Sequence, residues 1–158
     1  MNTTDFARRE REDRAIARAL RILERRMKYD AKTTTIVSPD LARDYLRLRL
    51  DGLDREEFWC VWLNAAHQVI EAECVSVGSL TQTQVYPREI VRRALEHNAA
   101  AVILAHNHPS GKAEPSAGDR SLTAGLQSAL ALVDVNVLDH FVIGADPRPV
   151  SFAELGIL

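Results

Sequence analysis

The chain has 158 residues and a net charge of −2, with 46% hydrophobic and 27% charged side chains. That is one domain's length with room for an appended helix, and too apolar for wholesale disorder. No global field points to nucleic acid or a membrane surface, and no apolar run approaches the roughly 20 residues of a membrane span. Two cysteines, Cys60 and Cys74, exclude a disulfide scaffold and an all-cysteine zinc site. The Arg-rich start has no signal-peptide core, so the reducing cytoplasm is the expected compartment.

Residues 1–28 carry nine basic and five acidic side chains, whereas the remainder is net acidic. Ile16, Leu20, Leu23 and Met27 recur at helical spacing, which predicts an amphipathic helix from about Thr4 to Lys28. A solvated helix packed by that stripe is the plain reading. Its basic side is the one place where DNA or a protein partner would be expected, although interleaved acids repel phosphate. Residues 1–30 are read as this extension and 31–158 as the domain. A linker rich in β-branched residues (Thr33 to Val37) precedes Ser38-Pro39, a helix cap and first turn. Leu41, Tyr45, Leu46 and Leu48 make that helix's apolar side, up to Asp51-Gly52.

Glu57–Asn64 is apolar on both faces and reads as an interior strand. A turn follows at Asn64–His67, then a hairpin partner over Gln68–Val77. Pro87–Asn98 reads as a helix with Ile90, Val91, Ala94 and Leu95 buried. Ala100–Ala105 is a short buried strand, and HNHPSGKAEPS reads as a loop. A helix from about Ala117 to Val133, a strand over Val135–Gly144 and a terminal turn or strand over Phe152–Leu158 complete the chain. Mixed strands and helices predict a three-layer α/β arrangement around one mixed sheet.

The chemistry concentrates after the buried strand. His106 and His108 are two apart and project to one face of extended backbone. After seven intervening residues Ser116 opens the next helix, and Asp119 falls in its first turn on the line of Leu122 and Leu126. An inward carboxylate is expensive unless paired or bound to a cation. Two imidazoles and one carboxylate with an open fourth position make a catalytic zinc set, and such a site lowers the pKa of water to about 7. Ser116-x-x-Asp119 also has the form of a capping box, which needs no metal.

The stretch HNHPSGKAEPSAGD resembles the JAMM motif of the JAB/MPN metalloproteins. The flanking VSVGSLTQTQVYPREIVRRALEHNAAAVILAHNHPSG and VLDHFVIG look like its RadC-like branch, over roughly Leu41 to Leu158. Asn107 stands where other JAMM proteins carry Ser or Thr, as is typical of that branch. The resemblance implies the three-layer, cytidine deaminase-like JAB/MPN fold, with Zn2+ held by His106, His108 and Asp119. It also implies a distant glutamate as general base. Glu57, just before Phe58, matches best. Its neighbour Glu56 is the alternative, since only one of the pair can face the site, and Glu71 and Glu73 are outside candidates. Ser116 would donate to the substrate oxygen.

The implied reaction is hydrolysis of a peptide or isopeptide bond. A DNA-repair or recombination accessory, as the RadC name suggests, is the competing function. A pseudoenzyme is disfavoured because all the core side chains are available. The H-x-E and P-C-x-x-C of zinc cytidine deaminases are absent. Asp139-His140 resembles a recurring RadC-like pair, readable as support for the site or as an ordinary strand hydrogen bond. His67 reads as a solvated turn residue, His97 as a helix end, Cys60 and Cys74 as buried thiols, and Arg88-Glu89 as a helix start. Trp59 and Trp62 read as core or oligomer surface.

Overall fold

The computed structural model describes residues 3–27, 38–78 and 84–158. The Thr33–Val37 linker, the boundary between residues 30 and 31, and residues 79–83 of the family-like stretch lie outside the described residues. In chain order the elements are α1 (Thr3–Met27), α2 (Pro39–Leu50), β1 (Glu57–Leu63), β2 (Val69–Val77), α3 (Pro87–Glu96), β3 (Ala101–Asn107), α4 (Ala117–Ala131), β4 (Asn136–Ile143) and β5 (Val150–Ser151).

Local chemistry sets the boundaries. The Ser38 side chain caps α2 by accepting from the Leu41 amide at 3.2 Å, with Pro39 behind it. At the hairpin, the Asn64 side-chain oxygen accepts from the Ala66 and Gln68 amides, and exposed His67 takes a positive φ of 56°. Asn98, at φ 51°, turns the chain out of α3, so that helix stops at Glu96 rather than reaching Asn98.

The strand order is β2-β1-β3-β4-β5, with β3 and β4 parallel and the other pairs antiparallel. Helix α4 makes the return that a parallel pair requires. Interior strands buried on both faces create two cores. On one face α1 and α2 bring Met27, Tyr45, Leu46 and Leu50 against Trp59, Val61, Ile103 and Phe141. On the other, α3 and α4 bring Ile90, Ala94, Leu126 and Leu130 against Phe58, Cys60, Trp62 and Leu104. Each buried Leu or Phe contributes about 1.5–3 kcal/mol, so this three-layer arrangement is the form in which both faces of the sheet are used. No described helix is long and apolar enough to cross a membrane.

Two expectations need correction. Strand β3 does not end at Ala105 but runs through His106 and Asn107, which are buried because their polar groups find partners. Leu95 is 57% exposed, since α3 turns only Ile90 and Ala94 fully onto the sheet. The expected terminal turn is present over residues 152–156, preceded by the short strand pairing at Val150–Ser151.

Buried Asp139 ties that C-terminal turn to the sheet. Its carboxylate accepts from Ser151 Oγ at 2.6 Å, the His140 amide at 2.7 Å and the Ala153 amide at 3.0 Å. Asp139→Ala strands these donors and is expected to lower stability by about 3 kcal/mol. Urea unfolding checks this; a loss below about 1 kcal/mol would show that water replaces the carboxylate.

Candidate metal centre

The site lies where β3 ends and α4 begins. His106 is the penultimate residue of β3, 1% exposed, with its ring stacked on Phe58 at 6.1 Å. Its Nδ1 lies 2.8 Å from Nε2 of buried His140, whose Nδ1 is 2.7 Å from Thr123 Oγ1. His108 follows the strand, and its amide donates to the Ile143 carbonyl, extending the β3–β4 ladder by one step. Its ring Nδ1 donates to the Lys112 carbonyl at 2.6 Å. That bond fixes the proton on Nδ1 and leaves Nε2 as a lone pair.

The loop that returns to α4 is packed tightly. Gly111 sits at φ 82°, its amide donates to the His108 carbonyl, and its own carbonyl accepts from the Ala145 amide. Gly144 lies directly beneath. Ser116 then caps α4 in a true capping box: its Oγ accepts from the Asp119 amide, and Asp119 Oδ2 accepts from the Ser116 amide. The capping-box reading of Asp119 is therefore borne out, and the same carboxylate is also a candidate ligand. The Ser116 hydroxyl also donates to Oδ2 at 2.7 Å.

The three candidate ligands converge. His106 Nε2 is 3.0 Å from His108 Nε2 and 3.2 Å from Asp119 Oδ1, and His108 Nε2 is 3.2 Å from Asp119 Oδ2. One ligand atom from each lies within 4.8 Å of the others. A tetrahedral ion with bonds of about 2.1 Å spaces its ligands roughly 3.4 Å apart, so these residues fit such an ion with small adjustments. Burial alone would raise the Asp119 carboxyl, but the His106 and His108 rings beside it and the Ser116 hydroxyl hold it far below the usual range. The nearby Asp119 carboxylate lifts the proton affinity of His108 above its ordinary value against the effect of burial. Burial, reinforced by the neighbouring His106, pushes His140 well below its own. A shallow cleft of about 150 Å³ opens beside His108, lined by Leu50, Gly52, Leu53 and Pro109 among others.

The structure does not bring Glu57 to this centre. Glu57 shares the parity of Trp59, on the α1–α2 face, and its Oε2 accepts from Trp59 Nε1 at 2.8 Å. Glu56 precedes β1, two residues before Phe58, whose ring stacks on His106. Glu73 is held by Arg93, Trp62 Nε1 and His97 at the other end of that face, and Glu71 lines a separate pocket with Tyr45 and Met27.

Two participants went unseen in the sequence. Thr123 carried a usable signal, since it lies four residues after Asp119 on one helix face. Asn107 carried none, because its partners depend on strand pairing: its Nδ2 donates to the Arg55 carbonyl and its Oδ1 accepts from the Glu57 amide, both at 2.8 Å.

A three-layer mixed α/β domain with a His-His-Asp group at a strand-to-helix junction defines the class of protein: a JAB-type fold with a group able to hold a metal ion. The model of the RadC-like JAB domain family matches residues 36–157, and the chain belongs to that family. It is 56% identical over 128 residues to a UPF0758 protein of Dechloromonas aromatica, covering 81% of this chain and 57% of the relative. A UPF0758 protein of Thiobacillus denitrificans is 63% identical over 121 residues, covering 77% and 54%. One from Nitrosospira multiformis is 52% identical over 140 residues, covering 89% and 61%. The chain thus spans little more than half the length of these curated relatives.

A Cβ added at Gly144 would meet the Gly111 carbonyl at 2.5 Å and the Ala113 amide at 2.7 Å, both backbone atoms. Gly144→Ala is expected to destabilise by about 2 kcal/mol through overpacking under the His108 loop. Gly125→Ala, on α4 with nothing within 4 Å of its Cβ, should instead stabilise by about 0.5–1 kcal/mol. Thermal unfolding of both variants checks the contrast; equal effects would mean that the loop yields to the methyl group.

Proposed function

We propose that this chain is a zinc-dependent hydrolase that cleaves a peptide or isopeptide bond with water. The observation that carries the reading is the meeting of two imidazole Nε2 atoms and one carboxylate at 3.0–3.2 Å. His106, His108 and Asp119 would hold the ion, which would act as a Lewis acid and bring the pKa of a water to about 7. Three protein ligands rather than four suit a catalytic role over a structural one.

The chain's own groups then divide the work. Glu56 takes the proton from the attacking water and returns it to the departing amine, so the acid ends the cycle ionised as it began. The Ser116 hydroxyl is committed to Asp119 Oδ2, so we assign it to holding the ligand carboxylate rather than to the substrate oxygen. Zinc is favoured over a hard cation by the two nitrogen donors.

Metal analysis and hydrolysis of a quenched-fluorescent peptide library and a lysine-linked isopeptide test this. The wild-type protein should bind one zinc per chain, and His106→Ala should bind none. Glu56→Gln should keep zinc and lose 10²–10⁴-fold in turnover, with Glu57→Gln within about threefold of wild type. A zinc-loaded Glu56→Gln protein of full activity would remove Glu56 as the base. Failure of the wild-type protein to take zinc would end the enzymatic reading.

One observation favours the nucleic-acid alternative. Arg11, Arg14, Arg18, Arg21 and Arg25 recur at alternating spacings of three and four, and all five are exposed along one side of α1. Leu20, Leu23 and Met27 pack the opposite side against the sheet. If this stripe follows a phosphate backbone, duplex DNA affinity should fall with salt at a log–log slope near −4. Replacing Arg11, Arg18 and Arg25 by Ala should flatten that slope by about 3. No binding at low salt ends this alternative.

A further inference from the structure

Whether His106 can face a cation depends on which ring nitrogen carries its proton. Behind it lies a run of short contacts: the Asp119 carbonyl to Thr123 Oγ1 at 2.6 Å, Thr123 Oγ1 to His140 Nδ1 at 2.7 Å, and His140 Nε2 to His106 Nδ1 at 2.8 Å. A carbonyl oxygen only accepts, and a hydroxyl has one proton to give. The Thr123 hydrogen therefore goes to Asp119, and the Thr123 oxygen must receive one from His140 Nδ1. His140 is 0% exposed and packed against Phe58 and Phe152 at ring distances of 5.4 and 4.7 Å, a setting that excludes a charged ring. The one proton of its neutral ring is on Nδ1, so Nε2 accepts from His106 Nδ1. His106 Nε2 is then left as a bare lone pair, directed at Asp119 and His108.

We propose that Thr123 and His140 are positioning residues that set the His106 tautomer, so that its Nε2 is prepared to bind a metal ion. Reversing any one link leaves two N–H groups or two lone pairs face to face. The run begins at the backbone carbonyl of Asp119, whose carboxylate is itself a candidate ligand. Helix α4 thus supplies one ligand directly and orients a second through two intermediaries. His108 reaches the same tautomer by a local bond to Lys112, because its loop folds back on it. His106 is strand-bound, its Nδ1 meets the His140 ring, and it takes its orientation from across the sheet and helix. A neutral histidine here does what a carboxylate or carbonyl commonly does behind a metal-bound imidazole.

The inference rests on the metal reading, and its test separates the two. In metal-free protein at pH 8, long-range ¹H–¹⁵N correlation spectra should show His106 and His140 each protonated at Nδ1. This arm needs neither variant nor metal, and a His106 ring protonated at Nε2 would overturn the proposal. Thr123→Val keeps the shape but removes the hydroxyl. It should give mixed tautomers at both rings and a zinc affinity 10–100-fold weaker by chelator competition. Thr123→Ser should restore both readouts, which a purely space-filling role would not. A folded Thr123→Val protein with unchanged tautomers and zinc affinity within about threefold would also overturn it. If wild-type protein takes up no zinc while the tautomers are as expected, the metal reading fails and the hydrogen-bond assignment stands.

Discussion

Three groups that repel one another are held together in this molecule. Two imidazole nitrogens and a carboxylate meet at 3.0–3.2 Å, and a local hydrogen bond already fixes the proton of one imidazole on its far nitrogen. Lone pairs so arranged are satisfied only by positive charge, whether a proton or a metal ion. The lifted proton affinity of His108 and the depressed one of Asp119 are the same fact seen from two sides. A half-buried carboxylate would cost several kcal/mol if nothing met it. Here the Ser116 amide and hydroxyl both meet Asp119, so the helix cap doubles as the support of the site.

The scaffold explains how this arrangement persists. The parallel β3–β4 pair brings the ends of both strands to one level, and the His108 amide uses the Ile143 carbonyl as the last rung. The α1–α2 face contributes to a site on the opposite side of the sheet. Arg47 of α2 donates to the Gly144 and Pro147 carbonyls, and Gly144 underlies the loop that carries His108. Arg43, buried over the Phe141 ring, pairs with Glu154 and draws the C-terminal turn against the same helix. That turn also supplies Phe152 as a wall for His140.

The ordered elements were readable because their signals are local. Ser38-Pro39, Pro87 and Ser116 start helices by chemistry contained within four residues, and the apolar strands announce themselves by composition. The two histidines and the aspartate were readable for the same reason: a strand puts alternate residues on one face, and a cap puts its third residue beside the helix start. What escaped depends on distant pairing. A strand apolar on both faces carries no mark of which face is which, so Glu56 and Glu57 could not be ordered from β1 alone. Phe58 against His106 shows which face of β1 looks toward the two histidines, and that contact exists only once β1 lies beside β3. The strand end at Ala105 was misplaced for a related reason. Polar His106 and Asn107 look like loop residues until their partners, 34 and about 50 residues away, are in place.

The tripeptide His106-Asn107-His108 shows how strand alternation can serve two purposes at once. Its outer residues turn to one side and meet Asp119. The inner one must turn to the other, where a Ser or Thr would be too short to span two backbone groups at the entry to β1. Asn107 does span them, accepting from the Glu57 amide and donating to the Arg55 carbonyl. Those two groups flank Glu56, whose own carbonyl accepts from the amide of Gly78, the residue just past β2. The backbone of Glu56 is therefore fixed from both neighbouring strands, although it precedes the first regular residue of β1. A backbone held on both sides leaves the Glu56 carboxylate to move only through its side-chain torsions. An asparagine between the two histidines thus ties the chain ahead of β1 to the end of β3 without disturbing either imidazole.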